Sequence, residues 1–127
     1  MSRHGPPRRV LEAWQAGQIG VLTSDGIIAE VSLKLLDPTI GGRLGLLAAD
    51  VEAVVLLLRT QARLVTTTVV APVTGDPEDD HVLAVTLAGQ ADFLVTGDKK
   101  LLQLARHGPT PIVNPREFLS QLDPESA

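Results

Sequence analysis

Short apolar strands alternating with helices predict an α/β domain, a three-layer α/β/α arrangement with a central parallel sheet. Three observations carry this expectation. Runs of strand-forming residues stand at 19–22, 63–70, 93–96 and 112–113, separated by stretches of helical spacing. Three of the helices open on prolines (Pro6 and Pro7, Pro77, Pro115), and glycines follow two of them (Gly17, Gly89). The chain has 127 residues and is 44% hydrophobic, so it can bury one core, with residues 1–122 as a single domain and 123–127 as a loose tail. Only Trp14, Phe93 and Phe118 are aromatic, so that core should be aliphatic.

Along the chain, Pro6 and Pro7 open a first helix with Val10, Leu11 and Trp14 on one face, and Gly17 ends it. A short strand at 19–22 leads to Ser24, an N-cap for a helix that carries Ile27, Ile28, Val31 and Leu35 and stops before Pro38. Gly41 and Gly42 mark a turn. A third helix over 46–59 has Asp50 and Glu52 early and Arg59 late, the polarity the helix dipole favours. The β-branched run 63–70 reads as a strand. It is followed by a helix over 77–88 closed by Gly89, a strand over 93–96, a helix over 98–105 and a short strand at 112–113. The last helix, 115–122, is announced by Asn114 and Glu117 as a capping box. With 77–88 as a right-handed crossover, strands 63–70 and 93–96 should be parallel neighbours or nearly so. A doubly wound domain usually opens on a buried strand and this chain opens on a helix, so the expectation includes a missing first strand.

Composition narrows the chemistry. A net charge of −4 argues against a broad phosphate-binding surface, which needs clustered Lys and Arg. The absence of cysteine excludes disulfides and zinc–thiolate sites and suits the cytoplasm. No apolar run approaches the ~18 residues of a membrane span, and the start is not a signal peptide. Six of the fifteen acids (Asp76, Glu78, Asp79, Asp80, Asp92 and Asp98) crowd into two phrases and the stretch between them. GDPEDDHVLA, at 75–84, sets acids at the head of a helix; LVTGDKKLL, at 94–102, sets one at the end of a strand. If 77–88 is a crossover, Asp80 and Asp98 meet at the carboxyl edge of the sheet, where ligands of open α/β folds collect. Clustered carboxylates without thiols suit a hard cation, Mg²⁺ or Mn²⁺, and hence phosphodiester chemistry. Capping competes with this reading at even weight. Asp76 with Pro77 is a good N-cap and N1 pair, Glu78 and Asp79 favour the dipole, and Asp98 can cap the helix that follows it.

The phrases DPEDD (76–80), LAVTLAG (83–89), ADFLVTGDKKLL (91–102) and NPREFL (114–119), in that order and spacing, resemble the PIN-domain family of metal-dependent ribonucleases, common as toxins of bacterial toxin–antitoxin pairs. GPPRRVLEAWQAGQ and LTSDGIIAEV look like the family's first two helices; 37–70 is the least diagnostic part. The resemblance implies a metal site made by Glu30, Asp80 and Asp98 that holds one or two Mg²⁺ or Mn²⁺ ions. It further implies single-stranded or structured RNA as substrate, an antitoxin protein as partner, a homo-oligomer, and action in the cytoplasm away from membranes. Crowded carboxylates repel, so without metal at least one should keep its proton more readily than a free acid. The family also opens on a strand ending in an Asp-x-Asn phrase, which this sequence lacks, so these residues alone are expected to bind metal weakly and cleave poorly. The alternative is a non-catalytic PIN-like remnant that binds an antitoxin or itself. A phosphatase of the haloacid-dehalogenase type needs a nucleophilic Asp-x-Asp phrase, and none is present.

Of the other polar residues, Asp79 reads as the N3 acid of its helix, and His81 as a solvated helix residue. His4 and His107 read as exposed loop residues. Lys99 and Lys100 could attract RNA phosphate or lie along a helix surface, and Thr96 could serve the metal site or simply be buried. Asp37, Asp92 and Asp123 are expected to stand outside the site.

Overall fold

The computed structural model describes residues 5–43, 47–67 and 69–122. The expected tail, Asp123 and His4 lie outside the described residues. The chain forms two compact units that meet in sequence at Leu64 and Val65.

In the first unit, α1 (Pro6–Gln15) begins with two prolines in its first turn, where a missing N–H costs nothing. It ends as the glycine signal requires. Gly17 takes φ 76°, its N–H donates to the Trp14 carbonyl at 3.0 Å, and Gln18 N–H donates to the Ala13 carbonyl at 2.9 Å. That pair of bonds closes the helix in a Schellman turn. Strand β1 (Leu22–Thr23) follows, shorter and later than the expected 19–22. Ser24 caps α2 (Asp25–Leu35) as expected, its Oγ accepting from Ile27 N–H at 3.1 Å. Where a turn was expected, Pro38–Arg43 forms a six-residue helix, α3. The fixed φ of proline that ends one helix also starts the next, and it outweighs the two glycines here. Helix α4 (Ala48–Thr60) packs against α2. Asp50 fastens its start twice: Oδ2 accepts from Leu47 N–H at 2.8 Å, and Oδ1 pairs with Arg8 of α1 at 3.4 Å. Strand β2 (Arg63–Leu64) lies parallel to β1, with Leu22 opposite Arg63 and Thr23 opposite Leu64.

The second unit holds a compact aliphatic cluster. Helix α5 (Pro77–Ala88) contributes Leu83, α6 (Lys99–Leu104) contributes Leu101, and Ile112 comes from a strand; Leu94 and Leu102 pack around them. Strand β3 (Leu94–Val95) lies parallel to β5 (Thr110–Val113), with Leu94 opposite Ile112. Between α6 and β5 the chain makes a strand that the sequence reading missed, β4 (Arg106–His107), antiparallel to β5, so the order is β3-β5-β4. Gly108 and Pro109 are its two-residue turn. Gly108 has φ 57°, the left-handed value a tight hairpin wants at its first position. The capping box forms as expected: Glu117 N–H donates to Asn114 Oδ1 at 2.7 Å and Asn114 N–H to Glu117 Oε1 at 3.0 Å. It starts α7 (Pro115–Leu122), and Phe118 meets Phe93 edge-on at 5.5 Å between ring centres.

These pairings correct the sequence reading in three places. Among the described residues of 63–70, only the two of β2 form a strand, and that strand's partner is β1. The partner of β3 is β5. The two strands expected as neighbours across the 77–88 crossover each find their ladder with another strand. The architecture is α/β, with a parallel pair in one unit and a mixed three-stranded sheet in the other, where one parallel sheet in three layers was expected. Gly89 closes α5 as expected, at φ −83°, and the next residue, Gln90, takes a positive φ of 54°.

A candidate carboxylate site

Asp80 owes its position to the helix start. Asp76 caps α5 through Oδ1, which accepts from Glu78 N–H at 2.9 Å, and Pro77 begins the first turn. Asp80 then falls one turn in, on the face it shares with Leu83, Ala84 and Leu87 by i, i+3, i+4, i+7 spacing. It is only 7% exposed. The segment before the helix folds back over it and satisfies one of its oxygens. Oδ1 accepts from Val73 N–H at 3.2 Å, from Thr74 N–H at 2.8 Å and from the Thr74 hydroxyl at 2.8 Å. The Thr74 N–H, opposed by burial and joined by the Thr74 hydroxyl and the Val73 N–H, holds the Asp80 carboxyl below the usual carboxylate range. Crowding favours a carboxyl that keeps its proton; at Asp80, donors from the loop turn the shift the other way.

Asp98 follows β3 at the N-cap of α6 and is exposed. Its Oδ1 caps α6 by accepting from Lys100 N–H at 2.9 Å, and its own N–H donates to Thr96 Oγ1 at 3.0 Å. The cap that competed with the metal role is therefore formed, through a single oxygen. Thr96 is half-buried and serves that turn, while Lys99 and Lys100 are exposed in the first turn of α6. Glu30 belongs to the first unit, on α2, where Oε1 pairs with Lys34 at 3.5 Å across one helical turn. Asp79 and His81 are half-buried on α5, and Asp37 and Asp92 are exposed. His107 is a correction: it is half-buried in β4 and not in a loop. With Asp80 it borders a cavity of about 300 Å³, otherwise lined mainly by aliphatic side chains of α5 and by Val69 and Val73. The sequence reading missed this cavity. Its one trace was the apolar spacing of 83, 84, 87 and 88, which a core also explains.

Among the described residues, no three His, Asp or Glu side chains stand together as a ready metal cage. The donor chemistry nevertheless fits a hard cation. The bonds that Asp80 and Asp98 accept all fall on Oδ1, so among the described residues each keeps Oδ2 uncommitted. Both are carboxylate oxygens, the donors Mg²⁺ and Mn²⁺ prefer.

An α/β chain without cysteine, with carboxylates at the heads of two helices and an uncommitted oxygen on each, is of the class that can present oxygen donors to a hard ion. The profile of the PIN domain matches residues 1–100. The chain belongs to the PIN-domain family, a nuclease-like family that generally uses divalent metals and takes nucleic acid as substrate. Neither a curated protein nor a solved structure matches the chain. No helix among the described residues is long and apolar enough to cross a membrane.

Proposed function

We propose that this chain is a metal-dependent endoribonuclease of the PIN type, acting in the cytoplasm as the toxin of a toxin–antitoxin pair, with Glu30, Asp80 and Asp98 as its metal-binding acids. The observation that carries the reading is Asp80: a buried carboxylate, ionised by loop donors on one oxygen and uncommitted on the other. A residue needed only to begin a helix has no use for that arrangement, because Asp76 already caps α5. Family membership supports the nucleic-acid substrate, and RNA is the substrate that members with this acid pattern imply.

When bound, Mg²⁺ or Mn²⁺ supplies the Lewis acidity that polarises a phosphodiester and activates water. The chain's own residues have three tasks. Asp80 offers Oδ2 from a fixed rotamer, since Oδ1 is held by the loop. Asp98 offers an exposed oxygen whose backbone is fixed by the α6 cap and by Thr96. Lys99 and Lys100, exposed beside it, attract the phosphate backbone of the substrate.

The test is manganese binding and cleavage of single-stranded RNA by the chain and by Asp98→Asn. The substitution keeps shape and removes the charge a cation needs. Weak Mn²⁺ binding lost in Asp98→Asn, with any cleavage lost beside it, is the expected result. Equal binding and equal metal-dependent rates for both proteins would sink the proposal and leave Asp98 a cap.

A second reading has an observation of its own. Leu33 of α2 and Leu36 at its C-cap are each 73% exposed and Leu56 of α4 is 62% exposed, and the two helices pack together. Exposed leucines on adjoining helices suit a protein-binding module, for an antitoxin or a second copy. Light scattering that shows a monomer at micromolar concentration, together with no metal binding, would leave only a heterologous protein partner.

A further inference from the structure

We infer that Thr74 is a positioning residue for the metal-binding carboxylate of Asp80. The inference rests on the metal-site reading proposed above and adds a residue to it.

Thr74 lies six residues before Asp80, in the segment that leads into α5. It makes two of the three hydrogen bonds to Oδ1, one through its N–H and one through its hydroxyl, each at 2.8 Å. The hydroxyl is itself oriented, because Oγ1 accepts from Asp76 N–H at 3.0 Å. Its single proton has two acceptors in reach, Oδ1 of Asp80 at 2.8 Å and the Asp76 carbonyl at 3.2 Å. The shorter bond ends on an ionised oxygen and is the stronger. The result is a short chain of donors, from Asp76 N–H to the Thr74 hydroxyl to Asp80, in which the residue that caps the helix also steers the acid one turn inside it. A β-branched side chain suits the task, since its χ1 is confined to few rotamers.

Three donors on one oxygen do more than stabilise an anion. They fix the rotation of the carboxyl group about its bond to Cβ, and so fix the direction in which Oδ2 points. Outer partners that orient a ligand in this way commonly change metal affinity by about 10–100-fold when removed. Val73 and Thr74 would still offer their two backbone N–H groups in a Thr74→Val chain, so the lower end of that range is expected here.

The experiment uses the full chain and a readout apart from catalysis: Mn²⁺ affinity by electron paramagnetic resonance for the wild type, Thr74→Val, Thr74→Ser and Asp80→Asn. Expected are a loss of about ten-fold in Thr74→Val, affinity within about two-fold of wild type in Thr74→Ser, and a larger loss in Asp80→Asn. Circular dichroism checks that each variant is folded. Wild-type affinity in a folded Thr74→Val, alongside a clear loss in Asp80→Asn, overturns the inference and spares the metal site. Absence of Mn²⁺ binding by the wild type overturns the metal site and the inference with it. A Mg²⁺ titration of the wild type, followed by amide NMR, covers an unfolded Thr74→Val. The Thr74 amide signal should move as metal occupies the far oxygen of the same carboxyl; a Thr74 signal that stays still while that of Asp98 moves also overturns the inference.

Discussion

Asp80 makes acid a probe of the loop it holds. Its carboxyl is depressed in the folded chain, chiefly by the Thr74 N–H, so folding favours the ionised form. The stability this supplies is complete above the ordinary carboxylate range and is lost as pH falls through that range toward the lower folded value. Asp80→Asn should therefore melt at a lower temperature than wild type at neutral pH and lose less on acidification. Parallel melting curves against pH for the two proteins would contradict this. Ala105 supplies a second test. It ends α6 at φ 63° and ψ −36°, a conformation a side chain disfavours by about 1–2 kcal/mol. Glycine relieves that strain but loses more chain entropy on folding, about 0.4–1 kcal/mol. Ala105→Gly should come out stabilised by up to about 1 kcal/mol in urea denaturation, whereas alanine-to-glycine changes elsewhere in helices destabilise. The sequence showed Asp76 and Asp98 because each follows a local rule of helix starts, and Asp80 through the sheet-edge argument and the family likeness. It gave no sign of Thr74, whose role needs the loop to turn back across six residues. Glu30 was visible only through family likeness, since an acid four residues before a lysine on a helix reads as an ordinary surface pair.

Among the elements, those with clear chemical punctuation were legible. Helices α5 and α7 fall where Pro77 with Gly89 and Asn114 with Glu117 put them, and removing the latter pair should cost what caps usually cost. Asn114→Ala is expected to lose about 1 kcal/mol, read by urea denaturation. The hairpin of β4 and β5 was not legible, because Arg-His-Gly-Pro carries no strand propensity and only the closed turn makes it a strand. Gly108 is the test of that turn. A Cβ there would sit 3.3 Å from Leu87 Cδ1 on a backbone of φ 57°. Gly108→Ala should destabilise by about 1–2 kcal/mol, since strain and contact act together. A variant as stable as wild type would show that the hairpin turn readjusts freely. The strand expected over 63–70 failed for the converse reason. Its β-branched residues state a preference, and a preference becomes a strand only where a partner edge is available.

At the scale of the molecule, the sequence placed the chain in its class and family, and the structure groups its elements into two compact units that meet in sequence at Leu64 and Val65. Nothing in composition changes there, since both sides are aliphatic, and the division is a matter of which elements pack together. In the first unit α1 and α4 are tied by Arg8 and Asp50, whose side chains are 24% and 16% exposed. Partial burial strengthens such a pair beyond a solvated one, and losing one partner leaves the other charge uncompensated.

The segment between β2 and α5 has a consequence for handling and for the cell. From Leu64 to Gly75 there is no charged residue, and Val69 is 77% exposed, with Val70 and Val73 each 42%. An uncharged stretch with valines exposed to solvent is a template for fibrillar self-pairing between copies of the chain. Arg63 and Asp76 flank it and Pro72 interrupts it, the gatekeeper pattern that keeps such stretches from zipping together. Pro72→Val should therefore shorten the lag before thioflavin-positive aggregates appear, and Val69→Lys should lengthen it without altering the melting temperature.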